Sequence, residues 1–235
     1  MKKIFLRVLL SAPFFLLAVP AFAGGVALKG RVVFDGVPPV SEKVEVKSDR
    51  SVCGAQKETS KIILGSNKGV ANAVVKILEL KEPAAAPKKG DLDQINCEFD
   101  PHVQALPVGS TLVLTSSDAV LHNAHAFYED GSTAFNIAVP IVGMEVDKKL
   151  DKPGVIRLRC DAGHTWMNAY LVVVQEPFYA MTDKEGSFTI EGVPPGKYTV
   201  EIWQEWLGKT AQSVEVKEAE NPPLVLTVKK VQSDP

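Results

Sequence analysis

Runs of alternating apolar and polar residues recur along most of the chain and give its first description. Val26-Ala27-Leu28-Lys29-Gly30-Arg31-Val32-Val33-Phe34 alternates as a half-buried strand does, and Asp35-Gly36 before Val37-Pro38-Pro39 ends it. Lys43–Lys47 alternates again, and Ala73–Leu80 supplies a third strand. Glu82 to Gly90 is dominated by Pro, Ala and Lys, the composition of an exposed linker. Beyond it, Gln94 to Ala126 carries two strands around the turn Leu106-Pro107-Val108-Gly109, and Val155–Arg159 and Ala169–Val174 read as two more. Ser213–Val216 and Leu224–Val228 close the series. The pattern predicts an all-β protein, and 17 Gly and 16 Pro add to the preference for strands and turns over helices.

Met1 to Ala23 departs from this alternation. Lys2, Lys3 and Arg7 precede an apolar run from Val8 to Val19, and Ala21-Phe22-Ala23 has the small-residue form of a cleavage site. A membrane span needs about 20 uninterrupted apolar residues. This run is shorter and is broken by Pro13 and Pro20, so residues 1–23 are expected to be a Sec-type signal peptide cleaved after Ala23. No later segment is apolar enough to span a bilayer, so the mature chain is expected in the periplasm with no membrane span. The formal net charge of −2 becomes more negative once those three basic residues leave, which speaks against nucleic acid as a partner.

Candidate chemistry concentrates in Cys160-Asp161-Ala162-Gly163-His164-Thr165-Trp166-Met167, between two predicted strands. A thiolate, an imidazole and a thioether are the ligands that copper prefers, and Cys with two His and a weak axial Met defines a blue-copper site. A lone buried Cys or His is most often structural; the weight lies in their combination. The second imidazole comes from Ser117-Asp118-Ala119-Val120-Leu121-His122-Asn123, after the apolar run Thr111–Leu114.

This pair of motifs resembles the cupredoxin superfamily, whose fold is a Greek-key β-sandwich. The resemblance implies one mononuclear copper held by His122, Cys160, His164 and Met167, with Asn123 supporting the ligands from behind. It also implies a periplasmic electron carrier in which His164 forms the exposed edge for electron passage, and a redox partner such as a c-type cytochrome or a dehydrogenase. The spacing is similar to half of a binuclear copper-A loop as well, but Ile156, where that loop has its second cysteine, cannot bridge metals. His102, beside Pro101, is expected to be structural, and His125, three residues after His122, is expected to face away on a strand of period two.

Thr182-Asp183-Lys184-Glu185-Gly186-Ser187-Phe188 and Pro195-Gly196-Lys197-Tyr198 resemble a second module, the carboxypeptidase regulatory-like domain, a transthyretin-like β-sandwich without catalytic residues of its own. The opening strands of such a module match Gly30–Gly36 and Ala73–Leu80, far upstream, so the copper-binding sandwich is expected to be inserted into it. The expected division is residues 24–82 with 177–230 for the outer sandwich, 90–176 for the inserted one, and 231–235 for a frayed tail. Three cysteines in an oxidising compartment leave one unpaired, and with Cys160 committed to copper the expected disulfide joins Cys53 and Cys97.

An enzyme is not expected. A second, catalytic copper needs several more histidines, and no Ser/His/Asp set, phosphate loop or zinc motif is present. The alternative function is a copper-binding, carbohydrate-binding or protein-interacting β-sandwich without a redox role.

Overall fold

A computed structural model describes residues 25–81, 83, 85–219 and 221–230. The expected signal peptide and the expected tail lie outside these residues. Strands dominate, and no helix among the described residues is long and apolar enough to cross a membrane.

Two sandwiches form. In the first, Val26–Phe34 is the centre of a three-stranded sheet, antiparallel to Ser187–Val193 and parallel to Leu224–Val228. The facing sheet runs Tyr179–Met181, Val74–Ile77, Gly196–Gln204, Gly208–Val216. Leu28, Val32, Val75, Ile77, Val200, Ile202 and Leu226 fill the space between them. Both sheets thus draw on segments from each end of the chain.

The second sandwich uses the middle of the chain. Its five-stranded sheet has the order Thr133–Val139, His122–Tyr128, Gly154–Arg159, Asn168–Val174, Val103–Pro107. Val146–Lys149, Thr111–Leu114, Lys89–Ile95 and Glu98–Asp100 form the other sheet. Asn168–Val174 shows why its sequence reads as a nearly continuous apolar run. Leu171 and Val173 point into the core, whereas Val172 and Val174 meet Val74 and Trp203 of the first sandwich in a separate apolar seam. His102 and Glu205 (2.8 Å) and Lys209 and Glu129 (2.9 Å) link the sandwiches at the edge of that seam.

One segment sits differently from the sequence-based expectation. The hairpin of Glu42–Glu45 with Gln56–Thr59 and the short helix Arg50–Cys53 between its strands belong by position to the outer sandwich. Instead Val44, Val46, Val52 and Cys53 pack into the second core, where Cys53 forms a disulfide with Cys97. The apolar residues of this short alternating run cover the second core beside Cys97, and the disulfide holds them there.

Candidate metal centre

On the strand His122–Tyr128 the inner face is His122, Ala124 and Ala126, all fully buried, and the outer face carries Asn123 and His125. Two alanines beside the imidazole leave room for the residues that meet it. Those come from the loop after Gly154–Arg159. Cys160 begins the loop, and its N–H donates to the carbonyl of Met167 (3.3 Å), while the Met167 N–H donates to the carbonyl of His164 (2.9 Å). Gly163, at a φ of +93°, supplies the left-handed step that turns His164 inward, a conformation other residues rarely adopt.

The loop closure brings His122, Cys160 and His164 together. The two Nδ1 atoms are 3.0 Å apart, and the Cys160 Sγ lies 3.8 Å from Nδ1 of His122 and 3.6 Å from Nδ1 of His164. A point equidistant from all three atoms lies about 2.0 Å from each, the circumradius of that triangle. Typical bonds from zinc, a comparable ion, are about 2.0–2.1 Å to imidazole and 2.3 Å to thiolate. Both imidazoles are fully buried and Cys160 nearly so. Met167, 1 % exposed, packs in the same core cluster.

Each imidazole is oriented by a carboxylate. His122 donates its Nε2–H to Asp118 Oδ2 (2.9 Å), and His164 donates its Nε2–H to Asp49 Oδ2 (3.0 Å). The carboxylate partners set the tautomer, so both Nδ1 atoms face each other as bare acceptors. A Cys160 thiol has one proton to offer and can satisfy at most one of them. Leaving a buried acceptor unpaired costs about 1–3 kcal/mol. A cation between the three donors removes the conflict, so the residues present fit a metal ion, and the thiolate with two imidazoles fits copper among the candidates.

Burial pushes the His122 imidazole below its ordinary pKa, against the hydrogen bond it donates to Asp118. This favours the neutral ligand form. Burial likewise pushes the Cys160 thiol up, against the backbone amides of Asn123, Ala162 and His164 that favour the thiolate. A bound cation deprotonates a coordinating thiol outright. A cavity of about 360 Å³ reaches Cys160 and Met167 from between Arg157, Arg159 and Thr165.

The remaining candidates sort by position. Asn123 accepts the Asp161 N–H at 2.7 Å and donates to Asn136 at 2.8 Å, holding the start of the ligand loop against the His122 strand. His125 lies outside the cluster, hydrogen-bonded to Asp161 at 2.5 Å and resting on Phe127. His102 is also elsewhere, between Glu205 and the Asn168 carbonyl. The expectation of an exposed His164 is overturned: the side chain has no accessible surface, because the segment around Asp49 covers it. The two carboxylates Asp118 and Asp49 lie outside the expected ligand set. Asp118 is legible, four positions before His122 in the same motif; Asp49 is 115 positions from His164 and carries no local signal.

Comparison with known proteins gives partial likenesses. The family model described as polysaccharide lyase family 4, domain II, matches residues 155–223, which begin in the second sandwich and end in the first. No curated protein matches the chain. Among solved structures, a purple cupredoxin from Nitrosopumilus maritimus is 21 % identical, with 36 % of this chain and 99 % of that one covered at a TM-score of 0.32. A pseudoazurin from Sinorhizobium meliltoi is 22 % identical over 38 % and 76 % of the two chains, TM-score 0.31. A reduced amicyanin variant is 15 % identical over 44 % and 99 %, TM-score 0.32.

Proposed function

We propose that this chain is an exported electron carrier that holds one copper ion through His122, Cys160 and His164, with Met167 as a weak fourth donor. The observation that carries the reading is the buried triangle of two Nδ1 atoms and one Sγ, which the protein leaves without enough protons of its own. Copper supplies a one-electron couple when bound. The protein's part is to hold the donors in one geometry suited to both oxidation states, so that little rearrangement accompanies transfer. Asp118 and Asp49 lock the imidazoles, which are fully buried, and the amides around Cys160 stabilise the thiolate.

With His164 covered, electron passage needs another edge. Leu121, Ile141, Val142 and Met144 are exposed apolar residues. Leu121 precedes His122 directly, and the others follow Val139, which pairs with His122 across the strands. We assign the contact with a redox partner to this rim. The leader-like residues 1–23 and the Cys53–Cys97 disulfide support export to an oxidising compartment, the periplasm. The first sandwich, in this reading, is a non-catalytic transthyretin-like module completed from both ends of the chain, and the enzyme-associated family match does not carry an enzyme assignment.

Loading the mature chain with Cu(II) should give a charge-transfer band in the visible. Cys160→Ser should fold and lose the band. An unchanged spectrum in that variant would remove the thiolate from the site.

A further inference from the structure

Asp49 stands outside the sandwich that supplies the donors, yet it takes the Nε2–H of His164 at 3.0 Å. Its backbone is left-handed, φ 53°, a conformation that Asp, Asn and Gly tolerate better than other residues. Its carbonyl accepts the N–H groups of Val52 (2.9 Å) and Cys53 (2.8 Å) and so starts the turn Arg50–Cys53. Cys53 is bonded to Cys97. The Cys97 N–H in turn donates to Asp118 Oδ2 at 2.7 Å, the same oxygen that holds His122. One disulfide therefore joins the supports of both imidazoles.

The segment also covers the ligand loop. A Cβ placed on Gly163 would lie 3.5 Å from the Ser48 Oγ, and Trp166 donates its Nε1–H to the Cys97 carbonyl at 2.9 Å. Val52 and Cys53 pack on the second core, and His164 beneath them has no accessible surface.

We propose that Asp49 is a positioning residue for the metal centre, delivered by a disulfide-anchored cap, which holds His164 with its Nδ1 lone pair facing Cys160 and His122 and covers the His164 side of the centre. The inference rests on the copper reading for its consequence, not for its geometry. A carboxylate behind a ligating imidazole raises the ligand's basicity and fixes its ring, and losing such a partner typically costs about 10–100-fold in metal affinity. Its negative charge also favours Cu(II) over Cu(I), which lowers the reduction potential.

Two substitutions separate these effects without backbone strain. Asp49→Gly removes the acceptor, and Asp49→Asn keeps an acceptor but removes the charge. The mature chain and both variants are compared metal-free by imidazole ¹⁵N NMR, then with copper by chelator competition and protein-film voltammetry. In the metal-free chain His164 should be the Nε2–H tautomer; Asp49→Gly should release it to a mixture, and Asp49→Asn should keep it. With copper, Asp49→Gly should bind about 10–100-fold more weakly, and Asp49→Asn should raise the potential with a smaller loss of affinity. Replacing both Cys53 and Cys97 with Ala should weaken binding in the same direction as Asp49→Gly. A His164 tautomer indifferent to Asp49→Gly would overturn the proposal. Tautomer shifts as expected in a chain that takes no copper would leave the positioning role standing and sink the copper reading alone.

Discussion

The two sandwiches are built on the same alternation of strands, and the buried side chains that brace the first differ from the buried histidine pair of the second in how their polar atoms are satisfied. In the first, the Thr182 hydroxyl donates to the Val70 carbonyl (2.7 Å) and accepts the Ala73 N–H (2.8 Å). Gln204 donates to the Lys61 carbonyl (3.1 Å) and accepts the N–H groups of Trp206 and Leu207. Thr182 and Gln204 thus have protein partners for their buried polar atoms and serve the fold. In the second, His122 and His164 are as deeply buried, but their Nδ1 atoms have only each other and one thiol. Burial with full satisfaction marks architecture, whereas burial with a deficit of protons among soft donors marks a place for a cation.

The largest effect that would break this contrast lies in the His-Asn-Ala-His stretch. His122→Ala should reduce copper affinity by more than about 100-fold, beyond the range for losing a mere hydrogen-bond partner, and His125→Ala should leave it nearly unchanged. Chelator competition on the two variants decides it, and a greater loss for His125→Ala would move the site to the outer face of the strand.

The first sandwich supplies the converse. Ile202, 2 % exposed, lies in the first core. Ile202→Ala should cost about 2–5 kcal/mol of stability while the copper band of the folded protein keeps its position. Denaturant titration followed by both fluorescence and the band would show whether the sandwiches respond separately.

The smallest effect concerns the link between them. Burial opposes protonation of His102, but the hydrogen bond and charge of Glu205 prevail and its pKa is raised. A raised folded-state value means that the protonated pair stabilises the fold fully below the unfolded histidine pKa, about 6.5. That contribution is lost as pH rises through the raised value. Glu205→Gln should therefore destabilise by up to about 1 kcal/mol at pH 5–6, and the difference from the parent chain should shrink in alkaline solution. A difference that grows with pH would contradict this assignment of charge.

What was legible in the sequence follows from the range of each signal. Period-two alternation is local, so the long strands such as Val26–Phe34 and Gly154–Arg159 stood out. The ligand loop was also local, with Cys160 and His164 four positions apart. The burial of His164 has no local signal because what covers it, Asp49 at the head of a short helix tied by Cys53, lies far upstream and has no periodicity of its own. The hairpin from Glu42 to Thr59 is ambiguous by sequence for the same reason: with four-residue strands, its partner is chosen by long-range packing, not by pattern.

The central claim is that one copper ion sits among two imidazole nitrogens and one thiolate. Titrating the mature chain with copper while recording X-ray absorption at the copper edge tests it directly. Saturation at one copper per chain, with one sulfur and two nitrogens at about 2.0–2.3 Å, is the expected result. Saturation without a short copper–sulfur distance, or no saturable binding, would contradict it.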